Sequence, residues 1–427
     1  MSPVGALKQT FASARSSRNF RLFLMGQFVS AIGTWMTFTA TGWLVWQLTR
    51  SGSALGINAA LQFGPMLVIG AWGGVLADRF DKRKILITTQ SLFAVVSVGL
   101  AFLVATDVIT LWMVYTLSVV YGCITAIDNP SRQSFYVEMV GEESLTNAVS
   151  LNSAAFTGAR VIGPAVAGLA IAGVGMAWCF GLDAFSYLFV LGALIMMRPA
   201  EFHAQPRSTR EKGHLVAGLK YVWRTDELRR PLIVLAIMFT FVFNWQVLMP
   251  LLAEVSFHAG PREFGLLSAA AGIGSLIGAV TLAHANRHPG MGRLGVFSLL
   301  VGGSMVLVAL APTLGVAYIT MVPLGYAAMC FMINGNTMLQ LNAVPQARGR
   351  VMALYGIVFL GSTPIGAPIA GWLGQLLGPR VEFALTGVIA AGIGVVVLAM
   401  RRRRAATERE PDVEPEPAPG AAAIPAR

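Results

Sequence analysis

Charged residues are scarce in this 427-residue chain: they make up 12% of the sequence, whereas hydrophobic residues make up 55%. A soluble protein carries about a quarter charged residues. The apolar excess is too large for a soluble core to bury, but a bilayer can accommodate it. Glycine is abundant, with 46 residues, and small residues let membrane helices approach one another closely. The composition therefore predicts an all-α membrane protein.

Cysteine is also scarce. Cys123, Cys179 and Cys330 each lie in an apolar run, so they predict neither a disulfide framework nor a metal site. The sequence contains no G-x-x-x-x-G-K-[ST] string and no recognisable pairing of a nucleophile with a base. These absences argue against an enzyme and against a bound cofactor or metal. An ATP-driven pump would need another subunit to bind the nucleotide.

Twelve apolar runs are long enough to cross a bilayer of about 30 Å. The first six lie near 21–47, 55–77, 85–105, 110–131, 147–173 and 176–197, and the last six near 230–254, 263–284, 293–311, 314–339, 349–376 and 381–400. The first run is too long for the apolar region of a signal peptide and no small-residue cleavage site interrupts it, so we expect an uncleaved span.

The domain organisation follows from these runs. We expect a cytoplasmic N-terminal segment (1–20), a six-helix half (21–197), a cytoplasmic central loop (198–228), a second six-helix half (229–400) and a tail (401–427). The tail is rich in Pro, Glu and Ala, a composition that cannot bury a core. It is therefore predicted to be disordered and cytoplasmic.

The placement of the basic residues tests this layout. Arg50, Arg262 and Arg380 lie in loops on one side of the predicted membrane, and Arg160 lies within a span. The remaining 27 of the 31 Lys and Arg residues lie on the other side. Since basic residues accumulate on the cytoplasmic side, both termini are predicted to be cytoplasmic, in a bacterial inner membrane. The orientation of the spans thus accounts for most of the net charge of +11, and nucleic acid is not an expected partner.

A glycine repeat relates the two predicted halves. Span five reads GARVIGPAVAGL from Gly158, and span eleven reads GSTPIGAPIAGW from Gly361. An offset of 203 residues superimposes the three glycines of one segment on those of the other. Such a duplication would place a cavity between the halves near the midplane, which rocking can expose to each side in turn. Coincidence between glycine-rich helices is the alternative.

The string GVLADRFDKRK, from Gly74 to Lys84, lies between spans two and three. It resembles the loop signature G-x-L-A-D-R-x-G-R-K of the major facilitator superfamily. The matching residues are Gly74, Leu76, Ala77, Asp78, Arg79, Lys82 and Arg83, while Asp81 stands where the family usually has glycine. Asp also tolerates turns, so the departure leaves the resemblance intact.

The resemblance implies that this loop is a gate. Asp78, at the end of span two, would bind the N-terminus of span eleven, which begins beside Arg348 and Arg350. This charge–dipole contact would latch the two halves together on the cytoplasmic side. Alternatively, the charges only orient the loop. The expected gating residues are Gly74, Asp78, Arg79, Lys82, Arg83 and Arg350.

Span five resembles the antiporter motif of the same superfamily, through Gly158, Gly163, Pro164 and Gly168. That motif implies an exporter or antiporter rather than a nutrient importer. Span four lacks the intramembrane arginine of drug–proton antiporters, which leaves proton coupling open. The segment that starts at Asp128 and the string ARGRVMALYG from Ala347 resemble the enterobactin-exporter branch, also called transmembrane secretion effectors.

Ionisable residues inside a membrane are costly and mark candidate functional sites. Arg160 in span five and Asp183 in span six are two of them, and an ion pair between the two is the simplest way to neutralise both charges. The pair is either structural or part of a substrate or proton pathway. Spans one, four, seven and ten line the central cavity in the resembling family, which makes Gln27 and Asn244 candidate lining residues. Hydrogen bonding between helices is the alternative role for both.

The sequence thus predicts a monomeric secondary transporter that exports a small amphipathic, drug- or siderophore-like compound by alternating access. Two alternatives stay open. One is a membrane sensor or scaffold that uses a transporter fold without transporting, and the other is a nutrient importer. The substrate itself cannot be derived, because a fold carries architecture and not ligand identity.

Overall fold

The computed structural model describes residues 12–203, 214–284, 289–344 and 347–407. Within these ranges the regular structure is helical and contains no strand. Among the described residues, eleven helices are long and apolar enough to cross a bilayer. One of them, Leu111–Gly173, has 63 residues and is broken at Gly141 into two spans. The predicted all-α membrane fold of twelve spans is therefore confirmed.

The spans keep their order along the chain, six in each half. The first half contains span one (Arg18–Thr49), span two (Gly52–Arg79), span three (Lys82–Ala105), spans four and five (Leu111–Gly173) and span six (Met176–Met196). The second half contains span seven (Asp226–Phe241, Trp245–Leu251 and the π-helix Leu252–Ser256), span eight (Pro261–His284), span nine (Met291–Ala309), span ten (Leu314–Asn342), span eleven (Arg348–Gly361 and Thr363–Leu377) and span twelve (Pro379–Thr407).

Spans four and five are joined without the polar loop that the apolar runs predict. The chain stays helical through this region except at Gly141, whose φ of 72° and ψ of 172° suit a residue without a Cβ. The carbonyls just before the break have partners: Ser17 Oγ donates to Met139 O at 2.8 Å, and His203 N donates to Glu138 O at 2.8 Å. These bonds replace the helical ones that the break removes.

Several predicted boundaries differ from the observed ones. Span one begins at Arg18, inside the segment assigned to the N-terminus, and span seven begins at Asp226, inside the assigned central loop. That loop also holds a short helix, His214–Arg224. Span twelve continues to Thr407 and so includes the first seven residues of the tail that the sequence predicts to be disordered. Arginine and alanine favour a helix there. Residues 408–427 lie outside the described part of the chain.

Short polar side chains begin several spans. Ser51 accepts a hydrogen bond from Ala54 N at 3.3 Å, and Thr313 accepts one from Val316 N at 3.4 Å. Asp81 does the same for span three, since its carboxylate accepts from Lys84 N at 3.0 Å. The residue that departs from the glycine of the superfamily signature is therefore an N-cap, a position at which Asp is strongly preferred.

The middle glycines of the repeat, Gly163 and Gly366, occupy equivalent packing positions within the two halves. A Cβ on Gly163 would lie 2.5 Å from Trp35 Cβ, so span five packs closely on span one. A Cβ on Gly366, the equivalent glycine, would overlap the carbonyl oxygen of Thr240, so span eleven packs closely on span seven. The first pair of the repeat is not equivalent, because Gly158 faces Phe28 of span one and Gly361 faces Leu67 of span two.

The third pair of glycines lies between the halves. A Cβ on Gly168 would lie 2.9 Å from Gly265 Cα, at the contact between spans five and eight. Its equivalent, Gly371, lies so close to Gly52 that a Cβ would overlap the carbonyl oxygen, at the contact between spans eleven and two. The two halves thus meet along two crossings of small residues, which is how membrane helices achieve close approach.

The two ends of the bundle differ in charge. We call the end that carries Arg18, Arg79, Lys82, Arg198 and Arg401 the basic face, and the opposite end, which carries Arg50, Arg262 and Arg380, the far face. An even number of spans returns the chain to the end at which it started. The two ends of the described chain therefore lie together at the basic face.

Candidate functional site

A cavity that is partly open to solvent lies between the two halves. Its walls come from spans one and two, span five, and spans seven and eight. Spans one and seven were expected there, but spans two, five and eight line the cavity in place of spans four and ten. The reason is that the close crossings of spans two and five with the opposite half bring their faces to the centre.

The wall combines aromatic rings with neutral polar groups. The rings are those of Trp35, Phe38, Trp245 and Phe264, and Trp35 and Phe38 meet edge to face with centroids 5.7 Å apart. The neutral polar side chains are Thr39, Asn58, Gln62, Gln246 and Ser268. This surface can accept an amphipathic molecule, because the rings bury apolar area and the amides and hydroxyls fix its orientation.

Arg160 is the charged member of the wall. Its guanidinium carbon lies 5.3 Å from the centroid of the Trp35 ring, close enough for a cation–π contact. Pro164, one helical turn further along span five, also lines the cavity, so this part of the antiporter-like motif borders the central space. Gly163, the neighbouring residue, faces span one instead.

Asp183 lies away from the cavity, in a fully buried site between spans one, three and six. Its Oδ2 accepts hydrogen bonds from Thr37 Oγ1 at 2.8 Å and Ser97 Oγ at 2.7 Å. Its Oδ1 has no hydrogen-bond partner among the described residues. Gly33 adjoins the carboxylate, because a Cβ there would lie 2.5 Å from Oδ1.

Arg160 and Asp183, which the sequence offers as a possible ion pair, have different partners in the structure. Gly33 and Thr37 place one face of span one against Asp183, whereas Trp35 places the other face against Arg160. Residues two apart on a helix point in nearly opposite directions. Span one therefore lies between the two charged side chains. Their similar depth in the membrane, which suggested the pair, carries no information about this intervening helix.

Gln27 and Asn244 are buried but do not belong to the cavity wall. The amide of Asn244 donates to Phe239 O at 3.1 Å and to Thr240 O at 2.8 Å, where span seven is interrupted before Trp245. Asn244 thus satisfies carbonyls that the interruption leaves free. Gln27 Oε1 has no partner among the described groups. Gln246, two residues after Asn244, is the amide that reaches the cavity.

Asp128 and Arg132 form a buried ion pair in span four that the sequence analysis did not assign. Asp128 also accepts from Thr89 Oγ1 at 2.7 Å and Gln90 Nε2 at 2.9 Å, both in span three. The spacing of four residues between opposite charges was the available signal, because such side chains are neighbours on a helix. The network joins spans three and four within the first half.

The loop after span two binds its own half of the molecule. Lys82 pairs with Glu138 of span four. Arg83 Nε donates to Leu194 O at 2.7 Å and its Nη2 donates to Ile195 O at 3.0 Å, so it lies at the C-terminal end of span six. Cations are favourable at such ends. Neither basic residue of this pair reaches the second half.

The other predicted gating residues are placed differently. Gly74 is buried and Arg79 is exposed at the end of span two. Gly73, the residue before Gly74, makes the close contact with span four, where a Cβ would overlap Ala126 O. Arg350 at the start of span eleven packs beside Gly218 of the short linker helix. The side chain of Asp78 lies outside the described part of the structure, and so does the predicted latch.

A junction at the far face connects the two halves. Glu254 in span seven accepts hydrogen bonds from Trp46 Nε1, near the C-terminal end of span one, and from Arg50, which directly follows that span. Gln375 Oε1 in span eleven accepts from Ser51 Oγ at 2.7 Å and from Ser53 N at 3.1 Å. We call these residues the far-face junction. They join the two halves at the far face.

The sequence matches the transmembrane secretion effector family over residues 9–421, and the chain belongs to that family. Among curated proteins, the enterobactin exporter EntS of Shigella boydii serotype 18 is 27% identical over 388 residues, which cover 88% of this chain and 90% of the relative. The predicted resemblance to this branch is confirmed.

Solved transporters share the fold. A bacterial homologue of the human lysosomal transporter Spinster, in an inward-facing and unoccupied conformation, superimposes with a TM-score of 0.70 at 15% identity, covering 91% of this chain and 98% of the other. The nucleoside transporter NupG gives a TM-score of 0.68 at 12% identity, covering 90% and 99%. Together with the family match over residues 9–421, these findings show that the chain is a multi-pass membrane protein with the major facilitator fold, a secondary transporter and not an enzyme.

Proposed function

We propose that the protein exports a small amphipathic compound by alternating access, taking it up at the basic face and releasing it at the far face. The observation that carries this proposal is the aromatic and polar cavity between two pseudo-symmetric halves, closed at the far face by Glu254 and its partners. A substrate site that lies between two repeats can be exposed to either side when one repeat rocks against the other.

The far-face junction describes one state of that cycle. Every group of the junction bridges the first and second halves, so all of its hydrogen bonds must break before the far face can open. A closed far face is the arrangement in which a substrate enters from the basic face. We therefore assign this structure to the inward-facing side of the cycle.

The basic face is proposed to be cytoplasmic, because the positive-inside rule places the excess of Lys and Arg there. This orientation puts both chain termini in the cytoplasm and the far face outside a bacterial inner membrane. One chain supplies both halves of the cavity, which supports a monomer as the transporting unit.

The proposed substrate is a drug- or siderophore-like molecule. The curated relatives are named for the export of enterobactin, and 27% identity relates this chain to them. The cavity supports an amphipathic substrate of this kind, since Trp35, Phe38, Trp245 and Phe264 line it together with neutral amides. Aromatic walls with a few placed polar groups are the usual composition of a small-molecule site.

Proton antiport is proposed as the energy source, with Asp183 as the proton-carrying group. Asp183 is fully buried, and only one of its two carboxylate oxygens has hydrogen-bond donors. No basic side chain of the described chain pairs with it. Intramembrane carboxyls with this environment are suited to bind and release a proton as their surroundings change. Thr37 belongs to span one, which also lines the cavity, and this links the carboxyl to substrate binding.

A cytoplasmic latch complements the far-face junction in this proposal. Asp78 at the end of span two would bind the N-terminus of span eleven when the basic face closes. The rest of the signature loop supports such a role, because Lys82 and Arg83 anchor it to spans four and six. The loop would then move with the first half as a rigid unit.

Transport into proteoliposomes tests the proposal. Purified protein is reconstituted with and without a pH gradient, and the flux of a panel of amphipathic aromatic compounds is measured in both directions. We expect flux of some members of the panel and stimulation by the gradient. Uptake of a labelled nutrient in the opposite direction would identify an importer, and folded protein without any flux would identify a sensor or scaffold.

Two glycines offer a matched pair of variants for the same assay. Gly42 lines the cavity and Gly99 in span three does not, and a Cβ on either would meet nothing within 4 Å. Gly42→Trp should abolish flux, because the indole fills the substrate site. Gly99→Trp should leave flux near the wild-type rate. Equal flux in both variants would show that this cavity is not the transport path.

A further inference from the structure

The wall of the cavity carries a positive charge and no negative one. Among the residues that form its wall, Arg160 is ionisable and the remainder are aromatic, aliphatic or neutral polar. Two acidic side chains of the spans that surround the cavity have partners elsewhere. Glu254 is paired with Arg50 in the far-face junction, and Asp183 is held by Thr37 and Ser97 behind span one. The cavity therefore presents a cation without a compensating carboxylate.

The environment of Arg160 makes this imbalance significant. Its guanidinium contacts the Trp35 ring at 5.3 Å, and no carboxylate of the described residues forms an ion pair with it. A charged side chain in the membrane interior is costly unless it is paired or faces an aqueous cavity. A ring face offsets only part of that cost. Arg160 is thus placed to bind an anion that enters the cavity.

The groups beside Arg160 define what else the anion must carry. Trp35 also meets Phe38 and Phe156 edge to face, with centroids 5.7 Å away in both cases. Across the cavity lie Trp245 and Phe264 from the second half. Aromatic rings that both halves contribute to one cavity favour a planar ring among them, by offset or edge-to-face packing.

The neutral polar groups complete the site without changing its charge. The side-chain oxygen of Asn58 accepts from Ser118 Oγ at 2.8 Å, which leaves the amide hydrogens of Asn58 available towards the cavity. Gln62 and Gln246 add further amides, one from each half. Donors of this type can bind hydroxyl or carbonyl oxygens of a substrate.

We propose that the cavity selects aromatic anions: Arg160 binds the anionic group, and the rings of Trp35 and Trp245 hold the aromatic part. This inference deepens the proposed export function, on which it rests for the identity of the substrate site. It excludes the lipophilic cations that a cavity with a carboxylate would favour. An arginine fork also matches a carboxylate better than a point charge does.

Three probes of the same size test the charge preference in the wild-type protein. They are 1-naphthoate, 1-naphthamide and 1-naphthylmethylammonium, which are anionic, neutral and cationic at neutral pH. Binding to purified protein in detergent is measured by equilibrium dialysis. We expect naphthoate to bind about tenfold or more tightly than either other probe, as a charge-assisted hydrogen bond implies. Equal binding of the three, or a preference for the cation, would overturn the proposal.

Variants identify the residue responsible. Arg160→Gln should reduce naphthoate affinity by about ten- to a hundredfold and leave naphthamide affinity unchanged. Arg160→Lys should keep part of the preference, because it retains the charge but not the fork. Arg198→Gln, at the exposed basic face, is the control and should bind like the wild type. A folded Arg160→Gln protein that still prefers naphthoate would contradict the assignment.

The binding assay separates this inference from the proposed function. If Arg160→Gln does not fold, the wild-type preference and the Arg160→Lys result still decide the question. Selective binding of naphthoate without any flux would count against export and in favour of an aromatic-anion site. Export of naphthylmethylammonium, with no binding of naphthoate, would support export and overturn the site proposed here.

Discussion

Glu254 of the second half accepts a hydrogen bond from Trp46 of the first half, and this contact joins the two halves at the far face. The same carboxylate also pairs with Arg50. One acidic group therefore connects span seven to both the end of span one and the loop that follows it. A transporter that alternates between two states must break these contacts in each cycle.

Neutralising Glu254 should shift the protein towards the state open at the far face. Glu254→Gln weakens the contacts with Trp46 and Arg50 by removing the charge. Because Arg50 is 56% exposed, the loss is expected to be modest, about 0.5–1 kcal/mol, or a two- to fivefold change in the ratio of states. Spin labels at the exposed positions Thr106 and Leu310, one in each half, would report a larger population of long distances.

Glu263→Gln is the matched control for this experiment. Glu263 is also acidic and lies at the far face, but its carboxylate accepts from Gly260 N at 2.9 Å within its own half. The distance distribution of this variant should match that of the unsubstituted protein. An unchanged distribution in Glu254→Gln would mean that Glu254 does not hold the far face closed.

Removing the carboxyl of Asp183 should uncouple transport from the pH gradient. Asp183→Asn keeps the size of the side chain and can still accept hydrogen bonds from Thr37 and Ser97, but it cannot exchange a proton. We expect the gradient no longer to stimulate flux in proteoliposomes, while downhill substrate exchange continues. Thr37→Val, which removes a hydrogen bond but not the carboxyl, should keep a gradient-dependent rate. Gradient-driven flux in Asp183→Asn would exclude Asp183 as the proton carrier.

The ion pair between Asp128 and Arg132 should contribute strongly to the stability of the first half. Their side chains are 3% and 16% exposed, so each charge loses its compensation when the other is removed. Asp128→Asn or Arg132→Gln alone should destabilise the protein by about 3–5 kcal/mol. The double variant should cost less than the sum of the two, and unfolding in detergent would measure the coupling. Additive losses would show that the two residues do not act as a pair.

A side chain at Gly371 should disrupt the contact between spans eleven and two. The space is occupied by the backbone of Gly52, which cannot move aside. Gly371→Val should therefore destabilise the protein by about 1–3 kcal/mol, as overpacking does in other tight interfaces. Gly303→Val is the control, since a Cβ at Gly303 meets nothing within 4 Å. Thermal unfolding of both variants would test this, and equal melting temperatures would refute the close crossing.

Asp78→Asn should reduce transport while the protein still inserts into the membrane and stays folded. The expected cause is loss of the carboxylate that would bind the N-terminus of span eleven, a charge–dipole contact of roughly 0.3–1 kcal/mol. Asp81→Asn, three residues away, is the control, because Asn caps a helix as well as Asp does. Flux assays on both variants decide, and an unchanged rate in Asp78→Asn would count against the latch.

Much of the architecture could be predicted from the sequence. The number of spans followed from run length, because a bilayer demands a fixed length of apolar helix. The relation between the halves followed from glycine spacing, and two of the three glycine pairs do occupy equivalent packing positions. The helical break at Gly141 could not be predicted, since a charged segment near a membrane surface suits a loop and a helix equally well.

The site was harder to predict. Arg160 was recognised as a candidate because an intramembrane charge is rare, and it does line the cavity. Asp183, the possible partner, lies on the opposite side of span one from Arg160. The depth of two residues in the membrane does not show whether another helix lies between them. Asn244 is a polar residue of span seven, but its amide donates to Phe239 O within the span, where the helix is interrupted. Gln246, two residues later, is the amide that reaches the cavity.

The sequence alone determined that this protein is a twelve-span membrane protein built from two related halves, because apolar run length and glycine periodicity are properties of the chain itself. Only the tertiary structure decided which side chains meet. It placed Arg160 over Trp35 and away from Asp183, and it brought Glu254 to Trp46 across the two halves. Such contacts depend on helix rotation and on crossings between distant spans, and no local pattern encodes either.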